Sequence, residues 1–166
     1  MKTKLLILII LFSCSVYAQD SISPKPCIKH YVGAGAGFTT GYGLSYRLIY
    51  HKLGAQLNFG PQATRGGSST ISNGLTLLFK ITELEETNLF LYWGNHAFYR
   101  REVRFDYWNG SNYYTKSLNW NSGMGLDIEL NKNKRFVFNL MFGFAGYNTF
   151  ETLNLTGEIA AHFRLN

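Results

Sequence analysis

Residues 153–166 read "LNLTGEIAAHFRLN". The odd positions are Leu153, Leu155, Gly157, Ile159, Ala161, Phe163 and Leu165, and the even positions include Asn154, Thr156, Glu158, His162 and Arg164. A two-residue period places these sets on opposite faces of one strand. One face is apolar along its length and the other carries charge of both signs. The fold therefore turns on which of the two faces points inward.

The same alternation recurs upstream between turn signals, and no stretch has the spacing of an amphipathic helix. It predicts an all-β chain of eight strands at roughly 31–38, 42–50, 53–60, 73–82, 88–108, 111–131, 135–146 and 151–165. Each has a separable apolar row, such as Leu53/Ala55/Leu57/Phe59 or Phe136/Phe138/Leu140/Phe142/Phe144. The opposite rows hold Arg47, Gln56, Asn58, Lys80, Asp127, Glu129, Asn139, Glu158, His162 and Arg164.

A hairpin must put both apolar rows on one face, which fixes the parity of its loop. Asn109-Gly110, read as a two-residue type I′ turn, sets Trp93 opposite Leu126, Leu91 opposite Ile128 and Leu89 opposite Leu130. His51-Lys52 sets Tyr50 beside Leu53, Leu84-Glu85-Glu86 sets Ile81 beside Leu89, and Lys132-Asn133-Lys134 sets Leu130 beside Phe136. One antiparallel up-and-down order satisfies all four. The second, fourth and sixth connections are tight, whereas the third, about 61–72, is long and Gly/Ser-rich and the fifth is an extended hairpin. Short turns at one end and longer loops at the other match periplasmic and extracellular ends of a membrane barrel.

The N-terminus, "MKTKLLILIILFSCSVYA", has two lysines, a short apolar run and a Val16-Tyr17-Ala18 ending. This is the pattern of a Sec signal peptide at 1–18, since the run is short of the roughly 20 residues a spanning helix needs. A lipobox ending at Cys14 is the lesser reading because Phe12 is bulky. Cleavage after Ala18 leaves 14 basic against 10 acidic residues, a mild excess unlike that of a nucleic-acid binder. Cys27 then stands alone in a flexible leader, 19–30, with no disulfide, metal site or cofactor expected. The barrel domain is expected over 31–166.

A secreted β-sandwich or lipocalin-like barrel would alternate too, with its apolar face inward. Here the apolar row of the seventh strand is bulky throughout, while its opposite row includes Gly143 and Ala145. Large apolar rows toward lipid and smaller polar rows toward a narrow lumen fit better.

The signal peptide, eight alternating strands, aromatic-rich apolar faces and polar opposite faces together resemble the small bacterial outer-membrane barrels of the OmpA-transmembrane-domain and OmpX type. The resemblance covers nearly the whole mature chain. It implies an eight-stranded antiparallel transmembrane barrel in the outer membrane of a Gram-negative envelope. It also implies contact with outer-membrane lipid and lipopolysaccharide, insertion by the barrel-insertion machinery, and a monomer.

Within that frame Arg47, Lys80, Asp127, Glu129, Glu158, His162 and Arg164 are expected to form a polar network plugging the lumen, because desolvated charge needs partners. The hairpin 99–120 is longer than the 9–11 residues a tilted membrane strand needs. It offers Arg100, Arg101, Arg104, Phe105, Tyr107, Trp108, Tyr113, Tyr114 and Lys116 as a projecting surface. The residues with catalytic chemistry are His96, His162, Ser45, Ser117, Ser122, Asp127 and Glu158. No His-x-Ser pairing, metal spacing or phosphate loop accompanies them, so no enzyme is expected. A structural role in the envelope ranks first, an adhesin or surface receptor second, and a lipid A-modifying enzyme third.

Overall fold

The computed structural model of the chain describes residues 28–64, 67–131, 134–147 and 153–165. The expected signal peptide, Cys14 and Cys27 lie outside the described residues. The alternating segments form eight strands: β1 (Ile28–Gly37), β2 (Gly41–Tyr50), β3 (Leu53–Ala63), β4 (Ser69–Glu83), β5 (Thr87–Asp106), β6 (Ser111–Leu130), β7 (Phe136–Tyr147) and β8 (Leu153–Arg164). Each pairs antiparallel with its sequence neighbour, and β1 closes on β8 to complete a barrel. β1 opens at Ile28, so the last residues of the expected leader already belong to the wall.

Burial is inverted relative to a soluble barrel. Arg47 and Asp127 are 1% and 0% exposed, whereas Leu44, Leu57, Phe79, Leu91, Trp93, Phe142, Phe144 and Ile159 are exposed on the outer face. The apolar rows therefore form an outward belt and the charged rows fill the lumen.

The turns reproduce the expected parity, but of the four expected pairings one holds, two are off by two residues and one is displaced locally by a bulge. Across β5 and β6, Trp93 lies opposite Met124, Leu91 opposite Leu126 and Leu89 opposite Ile128. The expected register is off by two because the turn is a four-residue loop, 107–110, and not Asn109-Gly110 alone. Asp106 causes this: its carboxylate accepts from Trp108 N at 2.9 Å and Asn109 Nδ2 at 2.7 Å, while Gly110 N donates to Asp106 O at 2.9 Å. Gly110 has φ 61°, and Asn109 is not among the residues of positive φ, which a type I′ turn would require. Across β6 and β7, Leu130 meets Phe138 instead of Phe136, with Asn131 at φ 61° accepting from Lys134 N at 2.8 Å.

Tyr50 faces Leu53 as expected. At the β4–β5 turn a bulge at Ile81 brings Thr82, not Ile81, opposite Leu89. The long third loop is also shorter than expected. Pro61, Gln62 and Ala63 pair with Ile71, Thr70 and Ser69, so β3 and β4 rise beyond the barrel rim. Pro61 is tolerated there because β3 pairs with β2 only as far as Phe59, leaving that side of the strand without a ladder bond to lose.

Candidate functional site

Inward positions build a charged middle layer and an upper layer at the β1–β2 turn, with an apolar set interleaved among them: Tyr31, Ile49, Leu78, Phe90, Tyr92, Val137 and Met141 form one buried cluster, in which Phe90 and Met141 both pair with Asp127 and Tyr31 pairs with Arg47. These residues share parity with the charged rows, so the inner face is less uniformly polar than the sequence suggests.

Arg47 organises the middle layer. Its guanidinium lies 2.8 Å from Asp127 and 3.4 Å from Glu129, with its Cζ 5.0 Å from the centre of the Phe90 ring. Asn88 donates to Glu129 at 2.6 Å, and Asn139 donates to Asp127 at 3.0 Å. A carboxylate only accepts, so Asn139 turns its oxygen toward His162 Nδ1, 3.1 Å away. His162 then carries its proton on Nδ1 and accepts from Ser45 through Nε2 at 2.8 Å. Buried charge and amide are thereby linked in one continuous chain, as a low-dielectric interior favours. Arg47 Nε, Thr76 Oγ1 and Asn88 Oδ1 take no partner among the described residues.

The upper layer is the β1–β2 turn itself, folded down into the lumen so that Thr39 and Thr40 are fully buried. Glu158 holds it. Its carboxylate accepts from Thr39 N and Thr40 N at 3.0 Å each, from the Thr39 hydroxyl, and from Thr156 Oγ1 at 3.4 Å. Two successive backbone N–H groups on one carboxylate make charge-assisted bonds, among the stronger hydrogen bonds proteins form. His96 Nδ1 donates to Phe38 O at 2.9 Å and its Nε2 accepts from Ser72 at 2.9 Å. Ser72 Oγ in turn accepts from Tyr42 N at 3.0 Å, and Asn121 donates to Phe38 O at 3.1 Å. Arg47, Gln56, Asn58 and Gly41 O form a hydrogen-bonded ladder of 3.3, 3.3 and 3.2 Å that joins the middle layer to the turn.

Space for the turn comes from the facing wall. A Cβ on Gly74 would collide with Thr40 O, and one on Gly94 would lie 2.8 Å from Thr39 O.

Of the residues read as a lumen network, Arg47, Asp127, Glu129, Glu158 and His162 are buried inside. They fall into two groups, Glu158 with the turn and the other four around Arg47. Lys80 and Arg164 sit at the lower rim. Lys80 pairs with the exposed Glu83 at 3.0 Å, and Arg164 faces Tyr31 in the β1–β8 ladder. Gln56, Asn58, Asn88, Asn139, Ser45, Ser72 and His96 complete the interior. All lie at the same strand parity as the charged set, which is the signal that finds them.

The surface candidates lie on an extension that is not a lone hairpin. Up to Arg101, β5 is still flanked by β4; only 102–115 is two-stranded. By parity, Arg101, Phe105, Tyr114 and Lys116 occupy the outer face, and Arg100, Arg104 and Tyr113 the inner. Arg101 stacks 4.0 Å from the centre of the Tyr114 ring. Arg100 and Arg104 both pair with Glu102, at 3.1 and 3.3 Å. Tyr107 and Trp108 stand at the tip, Trp108 96% exposed. Hydrogen bonds from Trp108 N and Asn109 hold the Asp106 carboxyl below its ordinary pKa.

No protein-family model and no curated protein matches the chain. Solved structures do. A major outer membrane protein from Thermus thermophilus superposes with a TM-score of 0.51 at 12% identity, covering 84% of this chain and all of that one. The N-terminal β-barrel domain of Pseudomonas aeruginosa OprF gives 0.47 at 14% identity, over 83% of this chain and 96% of that domain. Ail, the attachment invasion locus protein of Yersinia pestis, gives 0.43 at 14% identity, over 83% and 95%. The chain has the eight-stranded antiparallel barrel fold of the small outer-membrane proteins.

Proposed function

We propose that this chain is an integral outer-membrane barrel, exported by a Sec signal and placed by the barrel-insertion machinery, that acts as a sealed, monomeric structural element of the envelope. The observation that carries the reading is the inversion of burial. A belt of exposed Leu, Phe and Trp surrounds a lumen in which Arg47, Asp127, Glu129 and Glu158 are buried. A soluble monomer rarely exposes an apolar patch beyond a few hundred Å², and lipid is the solvent that makes such a belt favourable. Fractionation should put the mature chain, starting at Gln19, in the outer membrane with heat-dependent gel migration. Planar-bilayer recording should show no large, stable conductance. A steady open pore would refute the seal.

The same geometry argues against a hydrolase. Ser72–His96 and Ser45–His162 each have a hydroxyl within hydrogen-bond reach of an imidazole, the arrangement that activates a nucleophile. Yet Ser72 and Ser45 are 0% and 4% exposed, and their partners tie them into the plug and the Arg47 network. Lipid A from cells expressing the protein should keep its acyl pattern by mass spectrometry.

A second reading, surface attachment, is favoured by the tip, where Tyr107 and Trp108 project clear of the sheet. Replacing 102–115 by Asn-Gly would leave Arg101 opposite Lys116 and the barrel intact. Binding to lipopolysaccharide or to host cells, if carried there, should vanish.

A further inference from the structure

The outward row of β5 runs upward from Leu89 through Leu91 and Trp93 to Tyr99, and its next member is Arg101. From Leu89 to Tyr99 it climbs about 25 Å, at about 3.4 Å per residue and a tilt of about 40°, which is the height of a barrel's apolar belt. Beside it on β6, Met124, Trp120 and Leu118 are exposed, and Tyr99 lies opposite Leu118. Tyr99 and Trp120 therefore stand where an outer-membrane barrel carries its upper aromatic girdle. Arg101, one outward step higher, falls at the level of the lipid headgroups.

At that level three strands bring polar side chains into one row. Ser69 of β4 pairs with Arg101, and Arg101 pairs with Lys116 of β6. Like charges directly opposite one another destabilise a sheet. Nothing on the outer face offsets this pair, because the outward positions of β4 over 69–79, of β5 over 93–105 and of β6 over 112–124 hold no acid. Glu102 has the inward parity and gives one oxygen to Arg100 and the other to Arg104. Among the described residues neither Arg101 nor Lys116 has an ion pair. Arg101 is nevertheless held in place, its guanidinium stacked 4.0 Å from the centre of the Tyr114 ring. Stacking uses the face of the guanidinium and leaves the donors at its edge, and Nε takes no hydrogen-bond partner among the described residues.

We infer that Arg101 and Lys116 form a site for a phosphate carried by an outer-leaflet lipid, whose acyl chains lie down the apolar row below. The inference rests on the outer-membrane reading above. It is separate from the aromatic tip, since the pair lies below the two-stranded segment 102–115. Side chains directly opposite on a sheet start about 5 Å apart at Cβ, so the ammonium and the guanidinium edge can close on one anion from two sides. One phosphate then turns a repelling pair into two charge-assisted contacts. A lipid-borne phosphate is favoured over a free one because Ile71, Leu118 and Trp120, exposed just beneath, give its chains apolar surface to cover.

The test uses the full mature protein in phosphatidylcholine nanodiscs doped with lipid A, with native mass spectrometry counting the lipid A that stays bound on release. Wild type should retain the phosphorylated form and lose the form stripped of its phosphates. Lys116→Glu makes an ion pair of the repelling one across the same rung, so the barrel keeps its fold while the anion loses its site. Retention should fall about tenfold, the effect of one charge-assisted contact, whereas Lys116→Arg should retain lipid A as wild type does. Millimolar inorganic phosphate should leave the lipid in place; displacement would assign the site to a free anion and overturn the inference. In a barrel that has inserted, equal retention of both forms of lipid A, or no change in Lys116→Glu, overturns the site alone. A chain that fails to enter nanodiscs overturns the membrane reading and the site with it.

Discussion

Arginine meets carboxylate in contrasting settings among the described residues, with opposite consequences. In the lumen, Arg47 faces Asp127 and Glu129 with all three side chains at most 1% exposed; on the extension, Arg100 and Arg104 share Glu102 in the open. The distances are alike, so geometry alone does not distinguish them. What differs is the alternative each charge has when its partner is removed. Outside, water takes the partner's place; inside, nothing does. The same pairing is a structural necessity in the barrel and an ornament on the extension.

Arg47→Ala should break the comparison most sharply. It leaves Asp127 and Glu129 buried without their cation, a loss of about 3–5 kcal/mol, read as a lower urea midpoint for unfolding from lipid vesicles. An unchanged midpoint would mean that water already reaches the lumen. Next comes Glu158→Gln, which keeps the shape but removes the charge that gathers Thr39 N and Thr40 N. It should cost about 1–3 kcal/mol and raise hydrogen exchange at those two amides before any other.

Glu102→Gln on the extension should shift the same midpoint by less than about 1 kcal/mol. A loss comparable to that of Arg47→Ala would show that the extension is part of the barrel's cooperative unit. The smallest effect belongs to Asp106. Its folded pKa is depressed by the bonds from Trp108 N and Asn109. Its contribution is therefore present above the unfolded value, ordinarily about 3.9, and is lost as pH falls through the lower folded value. The amide signals of Trp108 and Asn109 should titrate in that acid window while barrel amides stay fixed. A midpoint at or above the ordinary value would contradict the capped turn.

Strand number, order and facing were legible in the sequence because a period of two survives any turn of the right parity. Register was less so, for the same reason. A loop longer by two residues moves the partner of Leu91 from Ile128 to Leu126 without turning one side chain to the wrong face. The apolar pattern is blind to that difference, and only Asp106, capturing the amides after it, decides it. The bulge at Ile81 was hidden because one residue of slippage near a turn leaves the rest of the β4–β5 ladder untouched.

Of the interior, the charged residues were legible one by one, but their grouping was not. That Glu158 would serve backbone amides and not Arg47 depends on the β1–β2 turn folding inward. The clue was present in Gly74, Gly94 and Gly123, inward-facing on three successive strands. Their shared height appears only once the register is known.

One consequence of the β5–β6 pairing reaches beyond the present chain. Past Arg101 the two strands pair only with each other, and beyond the bond from Val103 N to Ser68 Oγ at 3.2 Å adding or deleting one residue pair on each strand would preserve both the facing and the turn. Over evolutionary time the extension is free to lengthen or shorten by such steps, and its tip to change sequence, under no constraint from the barrel. The β1–β2 turn has no such freedom, being fitted to a niche of fixed depth. Among descendants of a common ancestor, reach above the membrane should therefore diverge quickly, while the tucked turn keeps its length.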